Sequence, residues 1–266
     1  MPLRTITGFA AILCWAMPLS AETPKTLLLI GQGPDGHPPR THEYIVGLKV
    51  LRKCLEPVGG LNISNVRADE PWTDGPGLIA KADGVVLFLS EGAKWAQADP
   101  ARSEALNRLV KRGGGVVGLH WGLGTKDAAN IAGFLKLAGG CHGGPDRKFG
   151  DVEVEIKPNA KHEIAAGIRP LKIRDEFYYR LKFSKMGKLE PVMRIEIDGH
   201  EETIAWAWER PDGGRSFGFT GLHYHENWRR EEYRRLVAQG VVWTLKKPIP
   251  KDGLKVAVTD DDLKPN

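Results

Sequence analysis

Gly113-Gly114-Gly115-Val116-Val117-Gly118-Leu119-His120-Trp121-Gly122 is the stretch that decides how this chain is read. An apolar run bounded by glycines, following an amphipathic helical pattern over residues 100–112, is the pattern of a buried strand. Gly118 and Gly122 frame His120 as Gly-x-His-x-Gly, the spacing of a nucleophile elbow with histidine in the nucleophile's place. A turn of that kind is crowded, and glycines around it relieve contacts between backbone segments. It lifts the central side chain above the carboxyl edge of a parallel sheet, where open α/β folds bind ligands. Imidazole titrates near neutrality, so it suits proton transfer or metal binding better than lasting acyl transfer.

Upstream, residues 25–30 (KTLLLI) and 83–90 (DGVVLFLS) read as buried strands, and 61–66 as a further strand candidate. Helical periods run over 43–56, with Ile45, Leu48, Leu51 and Leu55 inward, and over 100–112, with Leu106, Leu109 and Val110 inward. Pro100 suits a first helical turn. This alternation predicts a parallel sheet with helices on both faces. Downstream the pattern becomes β-rich: 152–156, 193–197, 203–208 and 216–220 read as strands, with turns at Asp198-Gly199 and Asp212-Gly213-Gly214. Residues 228–245 form a closing helix, and the Pro- and charge-rich residues 248–266 are expected to lie on the surface. One domain over 22–247 is expected, with the β-rich half extending the first sheet or covering one end of it.

The first residues stand apart. Arg4, the apolar stretch 6–17 and the Pro18-Leu19-Ser20-Ala21 sequence have the layout of a signal peptide cleaved after Ala21, which implies a periplasmic or secreted protein. The apolar run is too short for a membrane span. Loss of Arg4 lowers the formal charge from the +5 of the 266-residue chain to +4. Arg229, Arg230, Arg234 and Arg235 are interleaved with Glu231 and Glu232, the composition of a solvated helix face rather than a nucleic-acid surface. Cys54 and Cys141 remain after cleavage; both a disulfide and two buried thiols are open, and no metal-type Cys spacing exists.

Five of the eight histidines fall in loops or strand ends beside glycines or acids: His42, His120, His142, His223 and His225. In Gly221-Leu222-His223-Tyr224-His225-Glu226, two histidines two apart in an extended chain project the same way. With His120 they make a possible three-ligand zinc set. In Asp175-Glu176-Phe177-Tyr178-Tyr179, Glu176 and Tyr178 share one face of a strand and offer an acid/base pair. His120, Glu176, His142, Tyr178 and His223 are therefore the catalytic candidates; His42, Trp121, Asp175 and His225 are the substrate-binding ones. Trp121, Trp206 or Trp228 can offer a stacking face, although core packing explains each as well. His162 and His200 sit in charged turns, and His37 lies in the loop after the first strand. The lack of an Arg/Lys cluster favours a neutral polyol over a phosphorylated ligand, with Arg147 and Lys148, just past the glycine-rich loop 139–144, as the counter-argument.

Together these landmarks resemble the trehalose-utilisation (ThuA-like) family over about residues 25–245. They are Gly113-Gly114-Gly115 leading to Gly118-Leu119-His120, Gly139-Gly140 with His142, His162, Asp175-Glu176 with Tyr178, and Gly214-Arg215-Ser216-Phe217 running into Gly221-Leu222-His223. The resemblance implies a flavodoxin-like parallel sheet of the class I glutamine-amidotransferase type and a role in carbohydrate catabolism. It does not imply glutaminase activity, because the amidotransferase cysteine would fall at His120. Three functions follow as expectations: an exported enzyme doing acid/base chemistry on a sugar or keto-sugar without a certain cofactor, a non-catalytic carbohydrate-binding module, or a zinc-dependent hydrolase.

Overall fold

The computed structural model describes residues 23–264. The expected signal peptide, residues 1–21, lies outside them. In chain order the elements are β1 (Lys25–Gly31), α1 (Tyr44–Leu55), β2 (Leu61–Arg67), α2 (Gly75–Lys81), β3 (Gly84–Phe88), α3 (Gly92–Ala98), α4 (Pro100–Lys111), β4 (Gly115–Leu119) and α5 (Ile131–Ala138). There follow β5 (Gly140–Cys141), β6 (Lys148–Pro158), β7 (Leu171–Tyr179), β8 (Lys182–Phe183), β9 (Lys188–Ile197), β10 (His200–Glu209), β11 (Arg215–Phe219) and α6 (Glu231–Thr244).

This is a mixed α/β protein. One nine-stranded sheet has the order β2-β1-β3-β4-β11-β10-β9-β6-β7. The first five strands in that order are mutually parallel; the other four pair antiparallel. Period-two alternation splits β3 cleanly. Val86 and Phe88 join the apolar layer under α1 and α6, while Val85 and Leu87 join the layer under α2 to α5. Covered on both faces, these strands have no polar side to show, hence the continuous apolar runs. Cys54 lies in one layer and Cys141 in the other. Both are free thiols, so they do not form a disulfide.

Two features of the second half position the site. β6 pairs with β9 only at Lys157–Arg194 and Pro158–Met193, but it pairs with β7 along nine residues from Lys148–Tyr179 to Ile156–Leu171. Over most of its length the β6–β7 hairpin thus joins the main sheet through packed side chains and not through backbone pairing. The chain beyond residue 247 also differs from the expected surface tail. Val256 and Leu263 are buried; Arg234 donates to the Val256 carbonyl, and the Leu254 N–H donates to Gln239. Buried arginine and glutamine side chains on α6 need acceptors and donors, and the tail's backbone supplies them.

Candidate active site

β4 ends at Leu119, and His120 opens a 3₁₀ turn instead of an α-helix. His120 has φ +47°, a backbone state that a β-carbon makes costly and that tends to persist where the surroundings enforce it. Both framing glycines sit in close quarters, Gly122 against backbone and Gly118 against a side chain. A β-carbon on Gly118 would lie 2.2 Å from Leu123 Cδ2, and one on Gly122 would lie 2.3 Å from the Leu87 carbonyl oxygen. The elbow read from the sequence is therefore present, and it buries His120 completely.

His42 comes from the loop after β1 and His223 from the segment after β11. An isolated antiparallel bridge between Thr41 and Tyr224 zips these segments together, reinforced by His42 N–H donating to the His223 carbonyl at 3.1 Å. Three loops at the carboxyl ends of β1, β4 and β11 thereby bring three imidazoles to one point. His42 Nε2 lies 3.0 Å from His120 Nε2 and 3.1 Å from His223 Nδ1, which is 3.2 Å from His120 Nε2.

The outer nitrogens fix the ring tautomers. His120 Nδ1 can only donate to the Thr220 carbonyl, at 2.9 Å. His42 Nδ1 faces Asp35 Oδ2 at 2.8 Å. Burial works to raise the Asp35 carboxyl, but hydrogen bonds from His42, Tyr44 and His37 outweigh it and hold the group well below the carboxylate range. An ionised Asp35 accepts, so His42 donates. Both rings consequently turn lone pairs inward. Burial, with neighbouring imidazoles, keeps His120 well below its ordinary value and lowers His223 to about 4. Burial also lowers His42, against the pull of Asp35.

This donor set fits a divalent cation. Ligating histidines usually donate their second nitrogen to a carboxylate or carbonyl, as His42 and His120 do. Nitrogens bound at about 2.0–2.1 Å in a tetrahedral set stand roughly 3.3 Å apart, close to the separations seen. His225, proposed with His120 and His223, is not in the set. The chain enters a 3₁₀ turn at His225, which swings its ring away to bond the Leu263 carbonyl at 2.9 Å. His42, expected only to touch substrate, takes that place.

β7 supplies the opposite wall. Glu176 and Tyr178 share the inward face, as period two requires. Glu176 Oε1 lies 3.6 Å from His223 Nδ1 and 3.9 Å from His120 Nε2. Burial pushes its carboxyl up, with Asp151 adding and His37 opposing. The Tyr178 hydroxyl lies 3.1 Å from His120 Nε2. Its ring is sandwiched between His120 (centroids 4.5 Å apart) and His142 (4.1 Å). Asp175 points the other way and is fully buried. It accepts the N–H groups of Leu222 (2.7 Å) and His223 (3.2 Å), so it shapes the His223 loop and is not a substrate contact.

His142 is buried, with Nδ1 unpaired, and burial lowers it to about 3. The glycines beside it serve packing rather than mobility: a β-carbon on Gly140 would lie 2.4 Å from Trp206 Cζ2. Trp121 lines a cavity of about 210 Å³ with His42, His142, Glu176 and Tyr178, whereas Trp206 and Trp228 are core residues. His162 accepts the Ile164 N–H and caps a turn; it is distant from the site in role, though not a free surface residue. Asp35, Tyr44, Arg147 and Phe149 were not marked as site residues by the sequence.

The family model for ThuA, described as trehalose utilisation, matches residues 36–244. The chain belongs to the ThuA family. Among solved structures it is similar to a ThuA-like protein from Bacteroides uniformis ATCC 8492, at 14% identity and a TM-score of 0.64, covering 86% of this chain and 95% of that one. It is also similar to part of Gan42B, a GH42 beta-galactosidase, at 8% identity and a TM-score of 0.51, covering 85% of this chain and 31% of that one. Identities this low show likeness of fold alone. No curated protein matches. Among the described residues no helix is long and apolar enough to cross a membrane.

Proposed function

We propose that this ThuA-family protein is a metal-dependent enzyme of carbohydrate catabolism that performs acid–base chemistry on a sugar or keto-sugar, without glutamine amidotransferase activity. The meeting of the His42, His120 and His223 nitrogens within 3.0–3.2 Å carries the reading. Three imidazoles packed this way, two with lone pairs fixed inward, make a ready set of nitrogen ligands for a cation. They would hold a divalent metal such as zinc, which when bound polarises an oxygen of substrate or water. Glu176 takes the proton from the substrate, and its raised affinity for protons makes it the better base. The Tyr178 hydroxyl, beside His120 Nε2, orients the reacting oxygen. Trp121 and His142 close the cavity around the sugar.

The parallel order β2-β1-β3-β4-β11 supports a flavodoxin-like core of the amidotransferase type, with the ligand at the strands' carboxyl ends. Histidine at the elbow and two thiols pushed up to about 12 by burial argue against thiol-based glutamine hydrolysis. The family description of trehalose utilisation supports a carbohydrate substrate. Arg4, the apolar stretch and Ala21 support export and work in the periplasm or outside the cell. Dialysis against a chelator should abolish turnover of keto-glycosides, and added Zn²⁺ should restore it. Full turnover by metal-stripped protein would leave proton transfer by the imidazoles alone.

A further inference from the structure

The cavity beside the histidines has a charged rim. Arg147 and Lys126 line it, facing the single carboxylate of Glu176. Arg147 donates from Nη1 to the Gly144 carbonyl at 3.2 Å, which leaves most of its donor fork unused. The neighbouring Asp146 is engaged by Lys182, and Lys126 only approaches Glu91, at 3.9 Å. His142, deeper on the same wall, keeps a buried Nδ1 with no partner. Phe149 is 60% exposed. It sits directly opposite Tyr178 in the β6–β7 register, hence on the same face of the hairpin. Phe149 also lines the cavity, so its exposed ring is available to a ligand seated there.

We propose that this cavity selects a saccharide bearing a carboxylate, with Arg147 pairing the carboxylate and Phe149 covering the apolar face of the sugar ring. The inference rests on the sugar-enzyme reading above and replaces the neutral polyol expected from sequence. A guanidinium fork matches a carboxylate bidentately. Phosphate sites add helix N-termini or runs of free backbone N–H groups. Here the His142 N–H in the glycine-rich loop is already donated to the Leu123 carbonyl at 2.8 Å. At about 210 Å³ the cavity is smaller than the roughly 300–1,000 Å³ of drug-sized ligand pockets, so it takes one sugar ring.

Calorimetric titration of the purified protein with glucuronate, galacturonate, their parent hexoses and glucose 6-phosphate tests this. A hexuronate should bind at least about tenfold tighter than its parent hexose, as expected of one charge-assisted pair. Arg147→Met should erase that preference while leaving hexose binding unchanged. Phe149→Ala should weaken acid and hexose by the same factor. A preference that is missing, or that survives in Arg147→Met, would overturn the assignment; so would tighter binding of glucose 6-phosphate, which would make the anion a phosphate. Hexose binding without acid preference sinks this inference alone, whereas no binding of any sugar sinks the sugar-enzyme reading with it.

Discussion

The three histidines and the β6–β7 hairpin face one cavity but are built on opposite terms. The histidines sit where parallel strands end, with His42 and His120 almost wholly buried. His42, His120 and Leu222 all have positive φ, and the outer ring nitrogens of His42 and His120 are tied to Asp35 and Thr220. The hairpin is attached to the sheet by only two register pairs and presents a partly exposed Glu176 and a largely exposed Phe149. Strain and second-layer hydrogen bonds fix a geometry and tolerate little change. An exposed strand face can change its side chains at little cost in stability. The difference teaches how the proposed roles would divide: the rigid sheet edge would hold the cation, and the hairpin side would supply the groups that react.

Breaking the hairpin side should cost most in rate. Glu176→Gln keeps shape and removes the base, so turnover should fall by about 10²–10⁴-fold while the bound metal is retained. Loss of metal in that variant would place Glu176 among the ligands and blur the division. On the sheet side, Asp35→Ala removes the acceptor that orients His42. Metal affinity measured by competition with a chromophoric chelator should drop about 10–100-fold; unchanged affinity would show His42 to be oriented by packing alone.

A smaller effect concerns acid. Burial, foremost, holds His142 and His223 at about 3 and about 4, whereas the unfolded chain protonates them near 6.5. Below that value the unfolded state binds more protons. Stability is therefore complete above it and declines as pH falls toward the native values. Thermal melts of metal-free protein from about pH 7.5 to about pH 4.5 should follow that slope. A melting temperature that rises on acidification would mean that these rings are protonated in the fold.

The parallel half of the fold and its elbow were legible because β1, β3 and β4 are largely apolar runs and the elbow glycines sit where a β-carbon would collide. Helices α2, α3 and α5 were not, since seven or eight residues give a helical period too little length to register. Glu176 and Tyr178 followed from period two alone. The ligand set followed only in part. The pairing of His223 with His225 assumed an extended chain, and the chain turns at His225. Asp35 meets His37, His42 and Tyr44 within one irregular loop, where no helical or strand period predicts which side chains converge. The tail's burial likewise depends on Gln239 and Arg234, whose inward orientation a helical pattern of apolar residues does not reveal.

The histidine triad as a metal site is the central claim, and metal analysis of tag-free protein tests it most directly. Wild-type protein and His225→Ala should each carry about one zinc or other divalent ion per chain, the stoichiometry of a single site. His120→Ala should carry almost none while remaining folded. Equal metal content in wild type and His120→Ala, or fully active protein free of metal, would contradict it.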